Sequence, residues 1–116
     1  MVAHRLLPWL TVVWFLVPVP ASANSATVIG LGTGSCGQWT QDRKARSFEA
    51  VSRESWVTGF LSAYNVAGLA KSGNITSGLD SEGLFSWIDN YCASHPLDQL
   101  VKATVELINT LKQQGR

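Results

Sequence analysis

His95 stands between Ser94 and Pro96, with Asp98 three residues on, so a hydroxyl, an imidazole and a carboxylate fall within five positions. A serine triad needs those groups on separate elements, converging with a nucleophile elbow and an oxyanion hole. Here they are sequence neighbours at a helix junction, and neither accessory feature accompanies them. A Cys–His pair would need Cys36 or Cys92 as a free thiolate. One histidine beyond His4 and a scattered set of carboxylates do not supply the convergent ligands of a zinc site. Glu82 and Asp89, seven apart, share a helix face that reads as solvated. The run Gly32-Thr33-Gly34-Ser35-Cys36-Gly37 fits G-x-G-x-x-G after the β-like Thr27-Val28-Ile29. A dinucleotide fingerprint requires an adjoining helix, a second strand and an acidic residue at its end, and the sequence offers none of these in register. The chain is therefore read as non-enzymatic, with no catalytic residue, no metal ligand and no cofactor.

The start of the chain fixes the compartment in which the remaining residues are read. His4 and Arg5 precede an apolar run from Leu6 to Val19, and Pro20-Ala21-Ser22-Ala23 closes it with an A-x-A pattern. This is the arrangement of a secretory signal peptide cut after Ala23. The run is shorter than the roughly 20 residues of a membrane span, so no stable membrane insertion is expected after processing. Residues 1–23 are thus a signal peptide, 24–34 a flexible, glycine-rich arm and 35–116 one helical domain. Of nine Lys and Arg, cleavage removes only Arg5, leaving eight against eight Asp and Glu. This balance gives no basic stripe for nucleic acid. Cys36 and Cys92, an even pair in an exported chain, favour a disulfide. A redox pair or a metal site is the weaker alternative, since the two are far apart and lack companion ligands.

Three helices are expected to carry the domain. Phe48, Val51, Trp56, Val57, Phe60, Leu61, Tyr64 and Ala67 recur mainly at spacings of three and four, giving one broad apolar face. Ser47 caps that helix, Gly68 and the Lys71-Ser72-Gly73-Asn74 run end it, and Gly59 suggests close packing. Asp80 or Ser81 caps a second helix with Glu82 in its first turn and the stripe Leu84, Trp87, Ile88 and Tyr91. His95-Pro96 breaks the chain, and Pro96 suits the first position of a third helix running to the tail. A short helical turn near Cys36 completes an all-α bundle. Asn74-Ile75-Thr76 matches a glycosylation acceptor, but Ile75 reads as a packing residue in an exposed loop.

Trp39, Trp56 and Trp87 are either core or the lining of a recognition groove. Trp56 and Trp87 lean to core, while Trp39, in polar surroundings, is balanced between the two.

Taken together, Ser35-Cys36-Gly37-Gln38-Trp39, the stretch Trp56 to Asn65, and Trp87 to Leu97 with its Tyr91-Cys92 and His95-Pro96 steps resemble the HdeA/HdeB family of small periplasmic acid-stress chaperones. They also resemble the small helical immunity proteins that neutralise type VI secretion amidase effectors. The likeness spans roughly residues 35–111. The chaperone resemblance implies a periplasmic protein with Cys36 and Cys92 joined, binding unfolded clients through the apolar stripe from Trp56 through Phe60 to Tyr64, with Trp39 a further candidate contact. In strong acid the eight carboxylates protonate, and the processed chain approaches a charge of about +10, enough for self-repulsion to open a homodimer. The immunity resemblance instead implies a specific effector, plugged by the Gly68–Gly78 loop with Lys71 and Asn74 near its tip. An exported helical protein with some other role is the third reading.

Overall fold

Ser35 and Gln38 form the reciprocal capping box that starts the first helix: the Ser35 hydroxyl accepts from the Gln38 amide, and the Gln38 side chain accepts from the Ser35 amide. In the computed structural model, which describes residues 25–116, that helix is α1, Cys36–Ala45. The helices α2 (Phe48–Val66), α3 (Ser81–Ser94) and α4 (Leu100–Gln113) follow, and a 3-10 turn, Gly30–Thr33, precedes α1. Among the described residues the fold is all-α, with one isolated bridge between Ser35 and Gln99. The expected helical turn near Cys36 is thus a full fourth helix. Its polar sequence shows little apolar period because it buries only Cys36 and Trp39. The expected signal peptide lies outside the described residues.

The caps fall where side-chain chemistry puts them. Ser47 accepts from the Ala50 amide at the start of α2, and Asp80 from the Gly83 amide at the start of α3. Gly68, at φ +71°, takes the left-handed position that ends α2. The amides of Gly68 and Leu69 turn back to the carbonyls of Asn65 and Tyr64 in a Schellman arrangement. Pro96 does not open the last helix. Residues 95–99 form a tight turn, and α4 begins at Leu100. Leu97, which a helix opening at Pro96 would contain, is 93% exposed.

Trp39, Val57, Leu61, Ile75, Ile88, Leu100 and Leu107 form the centre of the core, with the Cys36–Cys92 disulfide among them. The bond joins the first residue of α1 to the last turn of α3 across 56 residues. α2 is rotated from its expected orientation: Ala50, Arg53, Val57 and Leu61 face inward. Phe48 and Val51, expected on the buried face, are exposed, because a face centred on Val57 turns both to the far side of the helix. Gly59 is not a close-packing site, since a Cβ there would meet nothing within 4 Å.

Candidate functional site

Two surfaces stand out, one aromatic and covered, the other charged. The aromatic one lies along the flank of α2. Trp56 and Phe60, one turn apart, stack at 5.2 Å, and with Tyr64 they are half-buried against the core. Residues 29–34, expected to be a flexible arm, lie across this flank. The Trp56 indole donates to the Ile29 carbonyl at 2.9 Å. Gly32 is buried against the ring, and a Cβ there would fall 2.0 Å from it. The Gly34 carbonyl also accepts from the Leu100 amide, fastening the segment to α4. Of the glycines that imitate a nucleotide fingerprint, Gly32 thus serves close approach to an indole, while a Cβ at Gly34 would meet the Arg53 guanidinium at 2.4 Å.

The charged surface is organised by Arg43 on α1. Its Nε and Nη2 donate to the two oxygens of Asp89 at 3.1 and 2.9 Å, a bidentate pairing, and its Nη1 donates to Glu54 at 2.7 Å. Glu82 lies 3.6 Å from the same guanidinium. The hydrogen bond to Asp89 holds Arg43 protonated more firmly than a free arginine; burial works against this and Glu54 adds to it. The guanidinium carbon sits 5.7 Å from the Trp39 ring centroid and 5.5 Å from that of Phe85, close enough for cation–π attraction. Asp89 also accepts from the Trp39 indole at 2.8 Å. One carboxylate on α3 thus satisfies both a buried indole and an arginine on α1. Beside this hub an open groove of about 690 Å³ runs past Thr40, Lys44, Arg46, Ala50 and Asn90. A second pair, Arg53 Nε to Asp42 at 2.7 Å, ties α2 to α1.

The sequence-expected residues are distributed unevenly over these features. Trp39 is 0% exposed, so it belongs to the core and not to a contact surface of the folded chain. Asn74 is exposed, and its Oδ1 accepts from the amide and hydroxyl of Thr76 and from the Asn65 side chain. Asn65 also accepts from the Ile75 amide at 2.8 Å, while Ile75 plugs into the core as expected. The loop is therefore anchored to α2 through Asn65, with Lys71 to Asn74 exposed at its tip. Asp89, expected on a solvated face, is the main partner of Arg43. The Arg43 hub leaves little trace in the sequence because its spacing of four from Trp39 acquires meaning only on a helix. The S-x-x-Q capping signature at Ser35 was the available signal for that helix.

At the α3–α4 turn, Trp87, Tyr91 and His95 form a ladder of stacked rings, with centroid separations of 5.7 and 4.2 Å. Asp98 accepts from the Tyr91 hydroxyl at 2.7 Å, which is the main reason the phenol's pKa is pushed up to about 12. His95 Nδ1 lies 2.9 Å from the Tyr91 carbonyl and Asp98 serves Tyr91, so Ser94, His95 and Asp98 do not form a triad. No helix among the described residues is long and apolar enough to cross a membrane. No protein-family model, curated protein or solved structure matches the chain.

Proposed function

We propose that the chain is an exported, non-enzymatic periplasmic protein-binding domain that holds unfolded clients in acid. The observation that carries this reading is the placement of its carboxylates. Five of the eight, all within the described residues, tie one element to another: Asp42 and Glu54 between α1 and α2, Glu82 and Asp89 between α3 and α1, and Asp98 between the last turn and α3. In strong acid carboxylates lose their charge, so the four that pair with arginine lose their Coulombic attraction and the Asp98 bond weakens, while every Lys and Arg stays charged. The disulfide keeps α1 and α3 joined as the ties fail. Release of residues 29–34 then uncovers Trp56 and Phe60 for apolar client segments. Light scattering from an aggregation-prone client at pH 2–3, with and without oxidised residues 24–116, tests the reading. Suppression there and its absence at pH 7 are expected, and no suppression at several-fold molar excess refutes it.

One observation favours the second reading, a periplasmic immunity protein for an amidase effector. Leu97 projects from a turn whose backbone is pinned to α1, a rigid apolar knob suited to a partner's cleft. Inhibition of such an amidase by the wild-type chain, lost on Leu97→Asp, is its test.

A further inference from the structure

The groove beside the Arg43 hub is lined by charges that the fold leaves without partners. Arg43 stands alone against Glu54, Glu82 and Asp89, so one guanidinium meets three carboxylates and the hub has a formal charge of −2. Glu54 engages Arg43 through one oxygen, and Glu82, with 75% of its side chain exposed, comes no nearer than 3.6 Å. The side chains of Arg43 and Glu54 are only 19% and 20% exposed, and charges so placed are screened less than those on open surface. Lys44 and Arg46 line the same groove and enter no ion pair among the described residues. The groove's six charges balance, yet the anions gather on one cation and leave the other two free. Asn90 lines it as well, with a side-chain amide that both donates and accepts, and Ala50, Val51 and Ala93 add apolar contact.

We propose that this groove binds a short peptide whose two termini are free. The peptide's α-ammonium meets Glu82 and the second oxygen of Glu54, its α-carboxylate meets Lys44 and Arg46, and its backbone pairs with Asn90. A ligand of one sign would be drawn to one set of these groups and repelled by the other, so the complement is a molecule carrying both signs. The donor and acceptor of Asn90 suit a peptide unit, which a compact zwitterionic headgroup lacks. The dimensions agree. The groove's volume of about 690 Å³ falls within the roughly 300–1,000 Å³ of small-ligand sites. Glu82 and Ala93 lie about 16 Å apart along α3, and an extended tripeptide spans about 10 Å. Ion pairs this open are each worth little, which sets the affinity near about millimolar. The site belongs to the neutral-pH chain and does not rest on the acid reading, since Trp56 and Phe60 lie outside the groove.

Titration of isotope-labelled, oxidised residues 24–116 with trialanine at pH 7, followed by amide chemical shifts, tests the proposal. Saturable shifts are expected at Lys44, Ala50, Val51, Asn90 and Ala93, and none at Trp56 or Phe60. N-acetyl-trialanine and trialanine amide should each bind at least about threefold more weakly. Glu82→Gln should shrink the effect of acetylation and leave that of amidation, and Lys44→Gln should do the reverse. A general loss of structure would not produce that crossed pattern. Both side chains are exposed, and melting curves establish that each variant is folded. Absence of shifts at several tens of millimolar trialanine overturns the proposal, as does equal binding of the blocked peptides. Phosphoethanolamine moving the same resonances where trialanine does not would overturn the peptide assignment in favour of a lipid headgroup.

Discussion

Replacing Asp89 separates the two tasks this carboxylate performs. Asp89→Asn keeps an oxygen for the Trp39 indole at its present 2.8 Å but gives up the charge that Arg43 grips with two nitrogens. Arg43 keeps Glu54, and both Arg43 and Asp89 have some solvent access, so the loss is about 1 kcal/mol. Asp89→Ala also strips the acceptor from an indole N–H on a side chain with no exposed surface. An unsatisfied buried donor costs about 1–3 kcal/mol, which brings the alanine variant to about 2–4 kcal/mol in all. Urea unfolding at pH 7 followed by circular dichroism gives the ranking, with the slope checked for constancy. A Trp39→Phe background removes the donor, so the step from Asn to Ala should shrink there by about 1 kcal/mol or more. Equal losses for Asn and Ala, or an unchanged step in the Trp39→Phe background, would refute the claim that the indole depends on Asp89.

Gly32→Ala forces a methyl into the Trp56 ring. It should cost up to about 1–3 kcal/mol, read as a shift in Trp56 emission and faster proteolysis before Ser35. Arg46 holds φ 50° at the junction of α1 and α2, so Arg46→Gly removes a strain of about 1–2 kcal/mol against a glycine entropy cost of about 0.5–1. A higher midpoint in urea is expected. The raised pKa of Tyr91 means its bond to Asp98 stabilises fully below the unfolded value near 10 and is lost as pH rises through about 12. Tyr91→Phe should therefore cost about 1 kcal/mol at pH 7, a gap that closes between pH 10 and 12 in parallel denaturant titrations. Reduction of Cys36–Cys92, which spans 56 residues, should lower stability by about 4 kcal/mol on the chain-entropy model, seen in melts with and without reductant.

The elements that announced themselves were those whose apolar residues recur and whose caps are side chains. Ser47, Gly68 and Asp80 mark helix ends by chemistry that acts within four residues, and each is found in that role. Cys36 and Cys92 paired as an even count suggested. α1 was hidden because a helix packed by one tryptophan and held by ion pairs has almost no hydrophobic period. The rotation of α2 was hidden for another reason. Two apolar arcs occupy its surface, and spacing cannot tell which one faces inward. Asp89 illustrates the general difficulty, since its partners lie 46 and 50 residues away and no local pattern names them.

The turn after α3 also sets where this chain can be lengthened. The first amides of α1, at Cys36 and Gly37, have no partners within their helix and donate to the carbonyls of Asp98 and Pro96. One residue added or removed between His95 and Gln99 would strand both amides and pull Asp98 from Tyr91. The tip at Lys71–Gly73 bears no such duty, since Gly73 has open space around it and the loop's anchors, Asn65 and Ile75, lie to either side. An epitope tag, a fluorophore-bearing insert or new chain termini therefore belong at that tip. The span from His95 to Gln99 behaves as a fixed-length spacer, a splice closed to insertion although it lies at the surface.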